Sequence, residues 1–236
     1  MSSSQARVRV TLSLEGLLQG VGFRPTMQVL AEEAGLGGSV QNRSGSVRLV
    51  LEGTAEAIEA FTATLPERLP IQARLDRIEE WAREALPPGD ALARFHIEES
   101  YAALDESTRI SIPADLGMCP DCRREVFDPD SRFYGYPFTT CTNCGPRYTV
   151  VDGVPYDREQ TTLRDFPLCP DCLVDYRNVR DRRFHAESIA CPTCGPRLEV
   201  RAADWSLTPL VGDETAVRLT RAALARGEIV AIRGLG

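Results

Sequence analysis

Eight cysteines in a regular array constrain this chain more than any other feature of its sequence. Each half of the array reads C-x2-C, 18 residues, C-x2-C, and 24 residues separate the two halves. Every cysteine of the first half has a counterpart 50 positions later, and the flanking C-P-D-C and C-G-P-R sequences recur at the same offset. An internal duplication explains this pattern. The cysteines are Cys119, Cys122, Cys141, Cys144, Cys169, Cys172, Cys191 and Cys194.

The paired spacing predicts two zinc sites with four sulfur ligands each. Two thiolates from one tight C-x2-C turn fill half of a tetrahedral site, and a second turn closes it. Four sulfurs leave no open coordination position, so we expect both Zn²⁺ ions to be structural. Because the region has few apolar residues, metal binding would supply much of its folding free energy.

The array also leaves alternatives. The spacing does not show whether consecutive or interleaved pairs share an ion. Four disulfides are disfavoured because the chain begins without an apolar secretory signal and its cysteines come in C-x2-C pairs. His185 lies between the last two pairs, but four sulfurs already satisfy each ion. We therefore interpret it as a surface or packing histidine.

Residues 7–99 predict a compact α+β unit. Alternating apolar residues predict strands, and apolar residues at helical spacing predict helices. The predicted strands are 8–14, 40–42, 47–51, 74–85 and 95–98, the last closing the unit. The charged stretch 74–85 could also be a helix, and we favour a strand. One helix begins near Pro25 and stops at Gly35, and another follows the capping residue Thr54 and ends before Pro66. The order βαββαβ is typical of a ferredoxin-like split βαβ sandwich.

A glycine-rich turn joins the first predicted strand to the first helix. It consists of Gln19, Gly20, Val21, Gly22, Phe23 and Arg24. Successive N–H groups in such a turn can converge on an anion, and the helix N-terminus adds positive potential. The Arg24 guanidinium can grip phosphate in bidentate fashion. By itself the pattern describes an ordinary tight turn better than a phosphate site.

A second segment changes that interpretation. Residues 14–24, L-E-G-L-L-Q-G-V-G-F-R, resemble the signature of the acylphosphatase family, and residues 38–42, G-S-V-Q-N, resemble its second motif. The resemblance implies that Arg24 binds the phosphoryl group and that Asn42 positions the attacking water. A carboxamide suits that task because it holds water as donor and acceptor together.

The order of the segments resembles the N-terminal third of the HypF family, the carbamoyltransferases of nickel–iron hydrogenase maturation. On this basis we divide the chain into an acylphosphatase-like domain (1–100), a linker (101–117), a zinc-finger domain (118–200, with fingers at 119–144 and 169–194) and the truncated start of a YrdC/Sua5-like domain (201–236). In the last segment the sequence predicts a helix over 215–226 and a buried strand over 227–232.

The resemblance also implies an activity. The acylphosphatase-like domain would hydrolyse carbamoyl phosphate to carbamate and phosphate. Domains beyond this chain would activate carbamate with ATP and pass the carbamoyl group to the C-terminal cysteine of the partner HypE. We therefore expect ATP to bind only to those missing domains.

Composition excludes several other functions. All 27 basic residues are arginine, so a Schiff-base or P-loop lysine is impossible within the chain. A net charge of −7 disfavours nucleic acid as a partner. No apolar run approaches the roughly 18 residues of a membrane span, so we expect a cytoplasmic protein.

Two other functions stay open at this point. Leu18 and Ser39 depart from the usual acylphosphatase residues, and the turn after Asn42 is short. These departures suit a zinc-ribbon partner-binding module whose acylphosphatase-like domain has weak or no catalysis. The third candidate is a general acylphosphatase with an accessory zinc module.

Overall fold

Five strands form one sheet in the first part of the chain. The computed structural model describes residues 6–43, 45–87, 94–101, 116–202 and 210–234. The strands are β1 (Arg7–Leu17), β2 (Gly37–Arg43), β3 (Ser46–Thr54), β4 (Arg74–Ala85) and β5 (His96–Ile97), and the helices between them are α1 (Phe23–Glu33) and α2 (Ala55–Thr64).

The strand order is β4-β1-β3-β2-β5, which confirms the predicted ferredoxin-like fold. β1 pairs antiparallel with β3 and β4, and β2 pairs antiparallel with β3. The closing strand differs from expectation. β4 completes the sandwich beside β1, whereas the segment 95–98 adds only a two-residue strand parallel to β2 at the opposite edge.

The topology places the C-terminal ends of β1 and β2 at the same end of the sheet. β1 and β2 are both antiparallel to β3, so they are parallel to each other and finish at the same end of the sheet. The glycine-rich turn follows β1, and Asn42 is the penultimate residue of β2. The two predicted parts of the phosphate site therefore lie at one end of the sheet.

One hydrophobic core lies between the sheet and both helices. Alternate residues of the strands enter it, as their periodicity predicted. The buried side chains include Val10, Leu12 and Leu14 of β1, Val47, Leu49 and Leu51 of β3, Met27, Leu30 and Ala31 of α1, and Ile58 and Phe61 of α2. Each large apolar side chain contributes about 1.5–3 kcal/mol when it is fully buried.

The helix boundaries follow from their flanking residues. Gly22 precedes α1 with a φ of 77°, and Gly35 follows it with a φ of 65°, a conformation that glycine adopts at little cost. Thr54 caps α2, because its Oγ1 accepts a hydrogen bond from the Ala57 N–H at 3.2 Å. The stop at Gly35 and the cap at Thr54 were predicted, whereas α1 begins at Phe23, two residues before the predicted start at Pro25.

The finger region has little regular structure. Its two α-helices, α3 (Pro120–Phe127) and α4 (Pro170–Arg177), each begin one residue after the first cysteine of a finger. Most of the remainder is short 3₁₀ turns and irregular backbone. Val150 and Tyr156 are buried apolar side chains in the stretch of sequence between the two cysteine sets.

The two fingers hold each other through equivalent residues. An arginine of each finger donates to a cysteine sulfur of the other finger and pairs with a carboxylate on that finger's helix. The exchanged groups are Arg132 with Cys172 and Asp175, and Arg182 with Cys122 and Glu125. Corresponding residues of the two contacts lie 50 positions apart in the sequence. The two copies therefore contact each other with approximate two-fold symmetry.

The last described segment confirms one prediction and contradicts another. α5 (Asp213–Ala225) matches the predicted helix, and a short antiparallel pair, β6 (Glu199–Val200) and β7 (Leu210–Val211), precedes it. The run 227–232 forms no strand, and Ile229 in it is fully exposed. An apolar run becomes a buried strand only when another strand pairs with it, and no described strand does so here. No helix in the described segments is long and apolar enough to cross a membrane.

We expect Gly38→Ala to destabilise the first domain strongly. Gly38 in β2 has a φ of 126°, and a Cβ there would lie 2.0 Å from the Val50 carbonyl oxygen. The combined backbone strain and clash should lower the free energy of unfolding by about 3 kcal/mol. Chemical denaturation followed by circular dichroism measures this change.

Gly35→Ala is the matched control. Its φ is also positive, at 65°, but a Cβ there meets nothing within 4 Å. We expect a loss of about 1 kcal/mol from the left-handed backbone alone. Equal losses in the two variants would contradict the role of the close strand approach at Gly38.

Candidate functional site

The glycine-rich turn presents unpaired N–H groups. Gly20 and Gly22 have φ values of 72° and 77°, and among the described residues the N–H groups from Gly20 to Gly22 donate to no acceptor. Phe23 and Arg24 open α1, where N–H groups have no partner inside the helix. Five consecutive N–H groups are thus available to an anion at a helix N-terminus.

Asn42 lies beside this turn with its carboxamide unpaired. The side chain is 1% exposed, and neither Oδ1 nor Nδ2 has a hydrogen-bond partner among the described residues. Leaving both atoms unpaired costs free energy, which a bound water or substrate would recover. Gln19 joins the turn to this strand, because its Nε2 donates to the Arg43 carbonyl at 2.9 Å.

Arg24 is buried and held by three different segments. Its Nη1 donates to Ser100 Oγ at 3.1 Å, and its Nη2 donates to Asp157 Oδ1 at 2.9 Å and to Glu187 Oε1 at 3.0 Å. The neighbouring Tyr101 N–H donates to the Asn42 carbonyl. Residues 100 and 101 therefore connect the two predicted site residues.

Glu187 is itself fixed in place. Its Oε2 accepts from the Tyr176 hydroxyl at 2.8 Å and from the Arg158 N–H at 3.2 Å. Burial raises its pKa to about 7, although the charge of Arg24 acts in the opposite direction. Sequence reasoning missed Asp157 and Glu187, which contact Arg24 from 133 and 163 residues away.

Residues of the finger region cover the turn. A Cβ placed on Gly20 would lie 3.0 Å from Pro146 and Tyr156, and one placed on Gly22 would lie 3.0 Å from Thr142. The Tyr156 N–H donates to Gln19 Oε1 at 3.3 Å. The remaining cavity against the turn is about 20 Å³, which holds about one water. The cavity therefore admits a ligand larger than a water only when this cover shifts.

The eight cysteines form two separate tetrads of consecutive pairs. One contains the first four cysteines and the other the last four. Neighbouring Sγ atoms are 3.6 Å apart between Cys119 and Cys141 and 3.7 Å apart between Cys172 and Cys194. Four sulfurs at Zn–S bonds of about 2.3 Å stand about 3.8 Å apart in a regular tetrahedron. The spacing fits zinc, and the described cysteines form no disulfide.

His185 belongs to neither tetrad. Its ring packs against Tyr176 in a tilted arrangement and against Phe184 edge to face, with ring centroids 5.0 and 4.6 Å away. Burial lowers its pKa to about 4, and the charge of Arg24 acts in the same direction. His185 is thus a neutral, partly buried histidine beside the arginine of the turn.

Comparison with known proteins agrees with this geometry. The acylphosphatase family model matches residues 10–97, and the HypF finger model matches residues 118–151 and 168–200. An acylphosphatase of Lactobacillus johnsonii is 34% identical over 89 residues, which are 37% of this chain and 94% of that protein.

Longer relatives match nearly the whole chain. Carbamoyltransferase HypF2 of Cupriavidus necator is 46% identical over 229 residues, 97% of this chain. A crystal structure of full-length HypF in a phosphate- and nucleotide-bound form superposes with a TM-score of 0.82 at 34% identity over 98% of the chain. The chain spans 28% of the HypF2 sequence and 29% of that crystallised chain.

The fold and the turn at its end therefore define a protein of the acylphosphatase family, to which this chain belongs. Its acylphosphatase domain is followed by two HypF fingers, and this combination matches the HypF carbamoyltransferases over nearly the full length of the chain. The chain thus carries an acylphosphatase domain and two HypF fingers, and it spans less than a third of those relatives.

Proposed function

We propose that this chain hydrolyses carbamoyl phosphate within a carbamoyltransferase of nickel–iron hydrogenase maturation. The observation that supports the proposal is that five free N–H groups, a buried guanidinium and an unpaired carboxamide all lie at the same end of the sheet. Acyl phosphate hydrolysis needs these groups, because its main demands are charge neutralisation and alignment of water.

In the proposed reaction the turn and Arg24 bind the phosphoryl oxygens. The Asn42 carboxamide holds a water, whose oxygen attacks phosphorus. The bond between phosphorus and the carbamoyl oxygen breaks, the electron pair leaves with carbamate, and the proton of the water goes to solvent or product. The products are carbamate and inorganic phosphate.

The later steps belong to the longer protein. By its family relation we propose that the full-length protein activates carbamate with ATP and transfers the carbamoyl group to HypE. The cysteine tetrads would each hold one zinc ion, which shapes the finger region and supplies no catalytic chemistry because all four positions are sulfur. The free thiols suit a reducing compartment such as the cytoplasm.

One observation favours a second candidate. The Arg24 guanidinium already pairs with two carboxylates, and the cavity beside it holds about one water. A finger module that keeps an inactive acylphosphatase domain closed, and only binds partners, would show the same contacts. Activity of the chain on carbamoyl phosphate distinguishes the two candidates.

Arg24→Ala should reduce phosphate release from carbamoyl phosphate at least about a hundredfold, because the variant loses the cation that stabilises the transferring phosphoryl group. A colorimetric phosphate assay on the purified chain measures this. Arg68→Ala, which removes an exposed arginine paired with Glu33, is the control and should keep wild-type activity. Undiminished release by Arg24→Ala would refute the assignment of the site.

Asn42→Ala should lower kcat about a hundredfold by releasing the attacking water. Its effect on stability should be small, since the carboxamide has no described hydrogen bond to lose. Thermal melting and the phosphate assay on the same sample separate the two effects. A folded Asn42→Ala chain with normal turnover would exclude the water-positioning role.

The chain should bind two zinc ions, one in each tetrad. Cys141→Ser and Cys191→Ser remove equivalent ligands from the first and second finger, and each variant should lose about one ion, because three thiolates bind zinc more weakly than four. Elemental analysis of protein purified under reducing conditions measures the stoichiometry. Wild-type protein without zinc would overturn this interpretation of the fingers.

A further inference from the structure

We propose that the finger region completes the acyl phosphate site: Asp157, from the segment between the fingers, and Glu187, from the second finger, are positioning residues that orient Arg24. This inference rests on the proposed function and adds residues outside the acylphosphatase domain to its site. The argument has three parts: which hydrogens of the guanidinium are used, how the carboxylates are held, and how the two fingers differ.

The carboxylates use only one corner of the guanidinium. A guanidinium has five N–H groups in a fixed plane. Asp157 and Glu187 take both hydrogens of Nη2, and Ser100 takes one of Nη1. The Nε–H and the second Nη1 hydrogen have no partner among the described residues. Arg24 is therefore held at Nη2, and its Nε–H and second Nη1 hydrogen, which point in different directions, stay free as single donors to phosphoryl oxygens.

The groups that hold Arg24 are rigid. Oε2 of Glu187 accepts two hydrogen bonds of its own, and the Arg158 guanidinium donates to the Glu187 and Ile189 carbonyls at 2.8 Å each. Glu187 is 4% exposed. A side chain fixed in this way aims a binding group more precisely than a flexible loop does.

The duplication provides an internal comparison. Gly135 of the first finger corresponds to His185 of the second, with φ values of 65° and 50°. Their N–H groups donate to equivalent carbonyls, at 2.9 and 3.0 Å, so the turn is the same in both fingers. Histidine adopts this left-handed conformation at a higher cost in free energy than glycine.

The same segment differs in polarity as well. Glu187 and Ser188 replace Pro137 and Phe138 of the first finger. The first finger makes this turn without a histidine or a carboxylate, so the finger fold does not need them. In the second finger His185 and Glu187 line the cavity against the glycine-rich turn. Their placement serves the neighbouring domain, and the strain at His185 fits a functional position.

The experiment compares Glu187→Ala with Glu187→Gln in the whole chain. Alanine removes the acceptor for Nη2, whereas glutamine keeps one acceptor oxygen for Nη2 but replaces Oε2, which accepts from Tyr176 and Arg158, with an amide NH2. We expect Glu187→Ala to raise KM for carbamoyl phosphate about tenfold, with a smaller change in kcat, and Glu187→Gln to raise KM clearly less than the alanine variant does. Titration with inorganic phosphate should show the same weakening of Kd in the alanine variant.

A second pair of variants tests Asp157. Asp157→Ala should raise KM in the same direction. Asp152→Ala is the matched control, because Asp152 lies five positions earlier and pairs with Arg164 at the surface; its KM should not change. Zinc content and melting temperature of every variant show whether the finger still folds.

Several results would overturn the inference. A lower KM in Glu187→Ala would show that the carboxylates compete with phosphate for Arg24, and an unchanged KM would show that they do not act on it. Equal losses in the alanine and glutamine variants would assign the effect to packing. Failure of the proposed function looks different: wild type then releases no more phosphate than Arg24→Ala, and the phosphate titration alone judges the positioning role.

Discussion

The convergence of four cysteine sulfurs on one point, repeated in two fingers, is the constraint on which the rest of the structure depends. The finger region lacks an extended apolar core: its buried clusters consist largely of the cysteines themselves with a few neighbours such as Phe133 and Ile189. Sulfur atoms spaced for tetrahedral coordination take the place of that core. The irregular backbone between the cysteines can then follow the surface of the neighbouring domain.

Part of this irregular backbone covers the glycine-rich turn. The ferredoxin-like domain supplies an unpaired row of N–H groups and a buried carboxamide, and its arginine faces carboxylates of another domain. A buried guanidinium beside carboxylates is costly unless the groups are hydrogen-bonded, and here Glu187 accepts from Arg24, from the Tyr176 hydroxyl and from the Arg158 N–H. The two domains therefore share a polar network rather than a simple apolar contact.

The sequence predicted the local elements well, because their signals are local. Alternation of apolar residues predicted β1 and β3, and the repeat predicted two sets of four cysteines. The charged stretch that forms β4 could be a strand or a helix by its sequence, and the favoured strand is the one observed. Spacing alone did not show that consecutive pairs share a tetrad, since interleaved pairs satisfy the same geometry. Asp157 and Glu187 carry no periodic or motif signal, and only the three-dimensional structure brings them to Arg24. The run 227–232 was predicted wrongly, because its burial depends on a partner strand that its own residues do not encode.

The exchange of arginines between the fingers has a consequence for the history of this duplication. Arg132 and Arg182 each support a cysteine of the opposite copy, so neither copy keeps its full set of contacts when it stands by itself. Once such mutual support arose, loss of either copy by deletion became costly. The two copies could then diverge in sequence, but each continued to need the other for its full set of contacts. One copy could acquire residues for another role while the shared contacts kept both fingers folded.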